Sequence, residues 1–536
     1  MGTVPATDQD APEAPPTGTS EAKQEHRESR SAAVVAIAIL ISKLVGLLRQ
    51  RVTAHFFGTS LVADVIAAAF RVGNLAQNLL GEGTLSASFI PIYAKLRAEG
   101  RDDEAVAFAR AALGLLAALV IVVTAIGIAA APWLAVVVAA GFGPDKLAMT
   151  TRLVRIVFPM TGVLVLCAWA LGVMNAHRQF FMPYVAPVIW SAAQIAALMI
   201  GGSWLMQSGE PLAHTLAWGA LVGAALELAL LLYKSRPHLG TLRPTLDAAS
   251  AHVREAAARL PGVLVGRGVI QISGLVDTLL VSFVGTGANA TFAYAQTLYL
   301  LPMSLLGTGE AAVSLPEMAR DTAVADEDER NRKLRRRLGL TLTRVCVLAI
   351  PAMAVLMVFG EELINLLLRT GKFDGDSTAR VADAVRIYGL ALIANASVRL
   401  FATTFFALGD TKLPARFAVV RVVASTAIAL ALLEPLGVIG VVTGAVSAGW
   451  LEALFLGWQL RRRIGGTGLS ELPWLKLVVL AAATFGLPAV ARTLAPPGLV
   501  DGWFGALLML SVVAVVFAVA AAALRLFDVR RLLRRR

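Results

Sequence analysis

Six basic side chains lie where a soluble-protein reading would not put them, inside long apolar runs: Lys43, Arg49, Arg71, Arg267, Arg399 and Arg421. A cation in hydrocarbon is costly, so by default it lines a wet cavity or meets a partner. Guanidinium groups grip phosphate and carboxylate through paired N–H donors. Ser42, Gly46 and Arg49 fall at i, i+4 and i+7 on one helix face, with Lys43 on its flank. With entry near Ala33, Lys43 and Arg49 lie roughly 15 and 24 Å along the helix, too deep for Lys43 to reach either surface. Arg71, Asn74, Asn78 and Glu82 form a second polar stripe, within about 80° on a helical wheel, flanked by Gln77. That stripe is read either as an Arg–Glu pair with amides tying helices together or as a wet cavity wall. Arg267, Gln271, Gly274 and Thr278 share a third face; Asp277 is turned about 80° from Arg267, toward a cation or a base such as Arg421. The deep acids, Glu82, Asp277 and Glu310, are fewer than the deep bases. A positive cavity suits an anionic substrate, whereas a cation exporter would need the reverse.

Soluble-type catalysis finds no footing. Gly371-Lys372 lacks the earlier glycine and the following Ser or Thr of a phosphate-binding loop. The six histidines form no metal-ligand spacing, and Cys167 and Cys346 sit alone in apolar runs as packing residues. Asn289-Ala290-Thr291 matches a glycosylation sequon, a pattern common by chance. Catalytic residues and a cofactor are therefore not expected, and transport would draw on an ion gradient, the membrane potential or the substrate's own gradient.

The elements that must position these groups are membrane spans. In 536 residues, 57% are hydrophobic and only 16% charged, which excludes a soluble enzyme, a disulfide scaffold and a disordered chain. Apolar runs long enough to cross a hydrocarbon layer predict an all-α polytopic membrane protein. Their centres fall near Leu40, Asn78, Ala118, Gly162, Ala193, Ala224, Gly274, Leu305, Val345, Ile393, Ala424, Ser447, Ala483 and Val515, giving about 14 helices. Alternate loops carry roughly 30 basic residues against about 5 on the other side, mainly Arg369, Lys372 and Arg380. Both termini are therefore expected in the cytoplasm. The net charge of +12 is then a topology signal and not a nucleic-acid patch, although the arginine clusters at 335–337 and 534–536 are placed to touch anionic lipid.

A weak repeat divides the chain. Leu79-Leu80-Gly81-Glu82-Gly83 before Pro91 recurs as Leu305-Leu306-Gly307-Thr308-Gly309 before Pro316. Leu171-Gly172 with Pro183 recurs as Leu408-Gly409 with Pro414. Both pairs lie six spans apart, so the repeat is parallel: two six-helix lobes with a substrate site between them near the midplane. The expected organisation is a disordered cytoplasmic tail at 1–30, an N-lobe at 31–234, and a C-lobe at 235–463 beginning with a cytoplasmic linker. Two appended spans at 464–528 and a basic cytoplasmic tail at 529–536 complete it.

The run Ser42-Lys43-Leu44-Val45-Gly46-Leu47-Leu48-Arg49, with Phe57-Gly58, Ala63-Asp64, Phe70-Arg71, Asn74-Leu75, Glu82-Gly83, Ser86 and Pro91, resembles the opening of the MurJ (MviN) family. These are lipid II flippases within the multidrug/oligosaccharidyl-lipid/polysaccharide exporter superfamily. Phe158-Pro159, Gly172 with Asn175, Gln271-Ile272, Asp277-Thr278 and Ala407-Leu408-Gly409-Asp410-Thr411 extend the resemblance, which runs from about 31 to 463. It implies fourteen helices, two lobes and a cationic V-shaped cavity in a bacterial inner membrane. The implied substrate is a polyprenyl-pyrophosphate-linked disaccharide-pentapeptide, lipid II or a similar glycolipid, entering from the cytoplasmic leaflet. Membrane lipids and cell-wall synthesis enzymes are the other implied partners.

Carried over by position, substrate contact falls on Ser42, Lys43 and Arg49, and gating on Asp64, Glu82 and Gly83. Asp277 matches the acid of a sodium site described for some members. Three positions depart. The family's span 2 cavity arginine falls on Gln77, its span 8 arginine on Thr297, and the acid after its span 1 arginine on Gln50. The remaining sodium ligands fall on Ser425, Ala429 and Ala445. Arg267 is extra and is placed to restore positive charge; with Arg71, Asn74, Gln77 and Thr297 it completes the expected substrate-binding set. Other readings left open are a flippase for another lipid-linked oligosaccharide, a drug or cation antiporter, and a non-transporting scaffold.

Overall fold

The computed structural model describes residues 18–526 except 178, 180, 242, 323–325, 497–498 and 500–501. Side chains at 18–36, 82, 263–267, 269–270, 305, 307–317 and 319 also lie outside the description, Glu82, Arg267 and Glu310 among them. Residues 1–17 of the expected disordered tail and the basic tail expected at 529–536 lie outside it too.

The described residues form helices joined by short turns, with no strand among them. In hydrocarbon each backbone N–H and C=O must be satisfied within its own segment, and the helix does this without edges. The N-lobe comprises α1 (Gly18–Phe57), α2 (Leu61–Leu80), α3 (Glu82–Ser88), α4 (Ile90–Ala98), α5 (Asp102–Ala129), α6 (Ala131–Ala139), α7 (Pro144–Ala176), α8 (Phe181–Met199) and α9 (Gly209–Leu239). The C-lobe comprises α10 (Ala251–Ser282), α11 (Ala288–Thr322), α12 (Glu327–Met357), α13 (Gly360–Leu367), α14 (Gly375–Gly389), α15 (Ala391–Ala407), α16 (Lys412–Leu436) and α17 (Val438–Ile464). Then come α18 (Trp474–Leu494) and α19 (Gly502–Ala523). Ten spans among the described residues are long and apolar enough to cross a membrane, α14 and α15 together making one of them.

Two departures from the sequence reading have local causes. Helix α1 begins at Gly18, well inside the segment read as a disordered tail. Residues 21–30 are rich in Glu, Ala, Lys, Gln and Arg, which lose little rotamer freedom in a helix and extend the span outward. The second predicted span is broken at Gly81, whose backbone (φ −86°, ψ −136°) leaves the helix while its N–H still reaches the Gln77 carbonyl at 2.7 Å. The polar stripe is therefore divided between α2 and α3.

Packing repeats between lobes. In the first, α1 packs on α8, α2 on α7, α5 and α6 on α7, and both α7 and α8 on α9. In the second, α10 packs on α16, α11 on α14 and α15, α12 and α13 on α14, and both α15 and α16 on α17. Each lobe thus inserts a short helix, α6 or α13, after its third span. The lobes meet where α10 packs against α2, α3 and α6, and α11 against α2. Helices α18 and α19 pack on each other and on α12, α19 also on α13, away from the lobe interface.

Candidate substrate cavity

A cavity of about 200 Å³ lies between the lobes, walled by α1, α2, α8, α9 and α11. Among the sequence-derived site residues, Arg49, Arg71, Asn74 and Thr297 line it. Arg49 Nη1 donates to Gln194 Oε1 of α8 at 3.2 Å, and its guanidinium lies 5.0 Å from the Trp190 ring centre. A neutral amide and an aromatic face hold the cation in place without neutralising it. Arg49 Nε is buried with no hydrogen-bond partner. Arg71 crosses from the N-lobe to lie on the backbone of α10. A Cβ on Gly274 would stand 1.5 Å from Arg71 Nη2, so only glycine leaves room for the guanidinium. Neither arginine forms a salt bridge among the described residues, and no described cavity-lining residue carries a carboxylate.

Two of the departures from the family pattern meet across this cavity. Gln50 Nε2 donates to Thr297 Oγ1 at 3.3 Å, N-lobe to C-lobe. Where the family pattern has an acid and an arginine, this chain has an amide and a hydroxyl. At these two positions the exchange removes one charge of each sign, and the third departure, Gln77, removes a further positive one.

The cavity is shut at the end bearing Arg369, Lys372 and Arg380, the side that basic-residue asymmetry assigns to the exterior. Asp64, fully buried at the start of α2, accepts Lys146 Nζ of α7 at 2.7 Å. It also accepts the N–H groups of Gly287 at 2.7 Å and Ala290 at 2.9 Å, which belong to the other lobe. Thr59 Oγ1 bonds Ser377 Oγ at 2.9 Å and accepts Arg380 Nη2 at 2.7 Å. Arg51 Nη1 donates to the carbonyls of Leu366 and Leu367 at 2.5 and 3.1 Å, and the Lys372 N–H to that of His55 at 2.8 Å. Two glycines with positive φ allow this approach: a Cβ on Gly58 would lie 2.3 Å from Lys372 O, and one on Gly371 2.4 Å from His55 O.

Other expected site residues are placed elsewhere. Ser42 and Gln77 are half-buried and Lys43 is exposed, none of them in the cavity lining. Side-chain geometry at Arg267 and Glu82 is outside the described residues; Gly83 lies in the first turn of α3. Asn78 Nδ2 donates to Gln271 Oε1 at 3.2 Å, a further lobe-to-lobe bond. Arg399 is exposed and outside the cavity lining. Arg421 pairs with Glu452 at 3.1 Å and not with Asp277, because the acid of the adjacent α17 lies directly opposite. Asp277 is buried and faces the positive charges of Arg71 and Arg421. The positions implied for sodium supply one carboxylate, Asp277, and one hydroxyl, the unpartnered Ser425 Oγ; Ala429 and Ala445 offer no ligand. A hard cation wanting several oxygens does not fit that set beside two guanidinium groups.

Sequence reasoning missed Lys146, Gln194 and Trp190. Lys146 carried a usable signal: it follows Pro144 at a helix start, on the side poor in basic residues. Gln194 and Trp190 lie in an apolar run that gives no sign of an arginine opposite.

Comparison with known proteins fits this arrangement. The family model for lipid II flippase MurJ matches residues 53–520. The chain belongs to the MurJ family. The "probable lipid II flippase MurJ" of Rhizobium meliloti (strain 1021) is 32% identical over 460 residues, 84% of each chain. The lipid II flippase MurJ of Burkholderia cenocepacia is 29% identical over 447 residues, 82% of this chain and 84% of its own. A solved lipid II flippase MurJ in an inward closed conformation superposes with a TM-score of 0.75 at 19% identity, covering 92% of this chain and 98% of that one. An inward-facing multidrug resistance MATE transporter of the MOP superfamily gives 0.66 at 16% identity, covering 82% and 99%. The MurJ-family chain is a multi-pass protein of the bacterial inner membrane.

Proposed function

We propose that the chain flips lipid II from the inner to the outer leaflet by alternating access of its two lobes. One observation carries this: Arg49 and Arg71, from two helices and without a salt bridge among the described residues, converge on a cavity between lobes whose described lining bears no carboxylate. Two guanidinium groups without a salt bridge among the described residues suit a pyrophosphate joined to a peptide with its own carboxylates. The family and its relatives, named as lipid II flippases, support the same substrate.

The cycle leaves the covalent structure of the lipid unchanged. With the outer end shut, the head group enters from the cytoplasmic side and displaces Gln194 from Arg49. Release of the Asp64, Thr59 and Arg51 contacts then opens the outer end. The proposal includes fourteen spans, with α1, α2, α10 and α11 joining the ten apolar ones, and both ends cytoplasmic. Direct contact with cell-wall synthesis enzymes also belongs to it. A resident sodium ion does not. A cation antiporter is disfavoured because its cavity would need acids where this one has arginines.

The test is complementation. In cells depleted of their own lipid II flippase, the wild-type chain is expected to restore outer-leaflet lipid II, read by impermeant labelling. Arg49→Ala at equal expression is expected to restore about ten to a hundred times less, the loss of one charge-assisted contact of roughly 1.5–3 kcal/mol. Equal restoration by the variant would overturn the role given to Arg49.

A further inference from the structure

The last helix of each lobe repeats a short pattern. Gly219-Ala220 and Leu226-Glu227 in α9 recur as Gly444-Ala445 and Leu451-Glu452 in α17. Both glutamates are buried, 3% and 6% exposed. Their surroundings differ. Glu452 receives Arg421 of α16 at 3.1 Å. In the N-lobe the corresponding helix is α8, and matching Pro183 to Pro414 puts Trp190 where Arg421 stands. The repeat keeps the acid and loses the base.

Glu227 has no hydrogen bond or ion pair among the described residues, and its Oε2 is enclosed without a donor. Five segments pack on α9: α2, α5, α7, α8 and the turn at 200–204. From α7 the facing titratable group is Cys167, whose Sγ lies 3.9 Å from the Ala224 carbonyl. Arg110 of α5 is turned to the Leu239 carbonyl at 2.7 Å, and Glu104 of α5 to Arg101. Arg71 and Asp64 of α2 are engaged at the lobe interface. The titratable side chain of α8 is Tyr184, which is exposed, and the turn at 200–204 has none. A carboxylate without a compensating charge or donor is costly in this setting, so the group is held as the neutral acid.

Glu227 is also placed to sense the cavity. Trp190 lines the cavity beneath Arg49, and its backbone lies against Gly223, one turn from Glu227, where a Cβ would meet Trp190 Cα at 3.0 Å. Trp190 therefore joins the Arg49 side of the cavity to the α8–α9 packing one turn from Glu227.

We propose that Glu227 is a proton-binding site of the transport cycle, protonated in the arrangement described and emptied to water when substrate loosens α8 from α9. In that step the O–H bond of the carboxylic acid breaks, its electron pair stays on the carboxylate and the proton passes to water. The cycle invoked is the flippase cycle proposed above, so the inference rests on that reading.

The experiment uses the purified full-length chain and Glu227→Gln, an isostere of the protonated acid, with Glu227→Leu as a second variant should the first fail to fold. Infrared spectra are expected to show the carbonyl stretch of a buried protonated carboxylic acid in the wild type and not in the variants. Adding lipid II in weak buffer is expected to release protons from the wild type alone, while the variant still binds lipid II. An identical carboxylic-acid band in wild type and variants overturns the proposal. So does equal proton release when both bind, in which case the flippase reading stands. If neither protein binds lipid II, that reading falls and the proton site falls with it.

Discussion

Asp64 is the acid on which the closed outer end turns, and replacing it with Asn gives a sharp expectation. Of its three contacts, the one to Lys146 joins α2 to α7 within the N-lobe and travels with that lobe in either state. The bonds from Gly287 and Ala290 come from the C-lobe and, in the proposed cycle, are given up when the outer end opens. Each amide bond to a buried carboxylate contributes roughly 1.5–3 kcal/mol, and Asn retains one neutral bond of about 1 kcal/mol. The closed state is therefore expected to lose about 2–5 kcal/mol relative to the open one. At about 1.4 kcal/mol per tenfold change, the open population rises from about thirty-fold to several thousand-fold. The readout is a single cysteine at Thr370, whose Oγ1 bonds His55 Nδ1 at 2.9 Å across the same gate, in a chain with Cys167 and Cys346 replaced. Labelling by an impermeant maleimide from outside is expected to accelerate at least tenfold in Asp64→Asn. Equal labelling rates in two well-folded proteins would refute the gating argument.

Three further outcomes follow from the geometry. Gly274→Ala places a methyl group on Arg71, whose flexible end can move aside, so melting temperature is expected to change little while lipid II flipping falls toward the Arg71→Ala level; normal flipping would show that Arg71 need not lie on α10. Gln50→Asp puts an uncompensated carboxylate in the cavity and should depress flipping, and adding Thr297→Arg should restore it, a coupling that a double-mutant cycle reads directly. Arg492→Ala removes the 2.9 Å partner of buried Glu362, between α18 and α13, and is expected to destabilise by about 1–3 kcal/mol without altering transport, checked by thermal unfolding beside a flipping assay.

What the sequence made legible follows from period and cost. Each predicted span centre falls in a helix, because uninterrupted apolar runs admit little else in a membrane. Arg49 and Arg71 stood out because a deep guanidinium needs a reason. Lys43 stood out equally, yet its side chain is exposed and off the cavity wall: its position flanking the Ser42–Arg49 face did not show which neighbour covers that flank. The partners of the functional groups were hidden. Lys146 is 82 residues from Asp64, and Gln194 is 145 residues from Arg49. Only the packing of α2 on α7 and of α1 on α8 brings them together. The Gln50–Thr297 bond was visible as two separate losses and becomes one exchange when the lobes are assembled. Gly81 stood out as part of the repeated Leu-Leu-Gly pattern, and its backbone ends a helix there.

The proposed cycle turns on pyrophosphate binding by the guanidinium groups of Arg49 and Arg71. The most direct measurement compares the affinity of the purified chain for lipid II with that for the same glycolipid lacking its pyrophosphate, in wild type and in Arg49→Ala with Arg71→Ala. The wild type is expected to prefer the pyrophosphate form by more than tenfold, and the double variant to lose that preference, as two charge-assisted contacts require. Equal affinity of the wild type for both lipids, or an undiminished preference in the double variant, would contradict it.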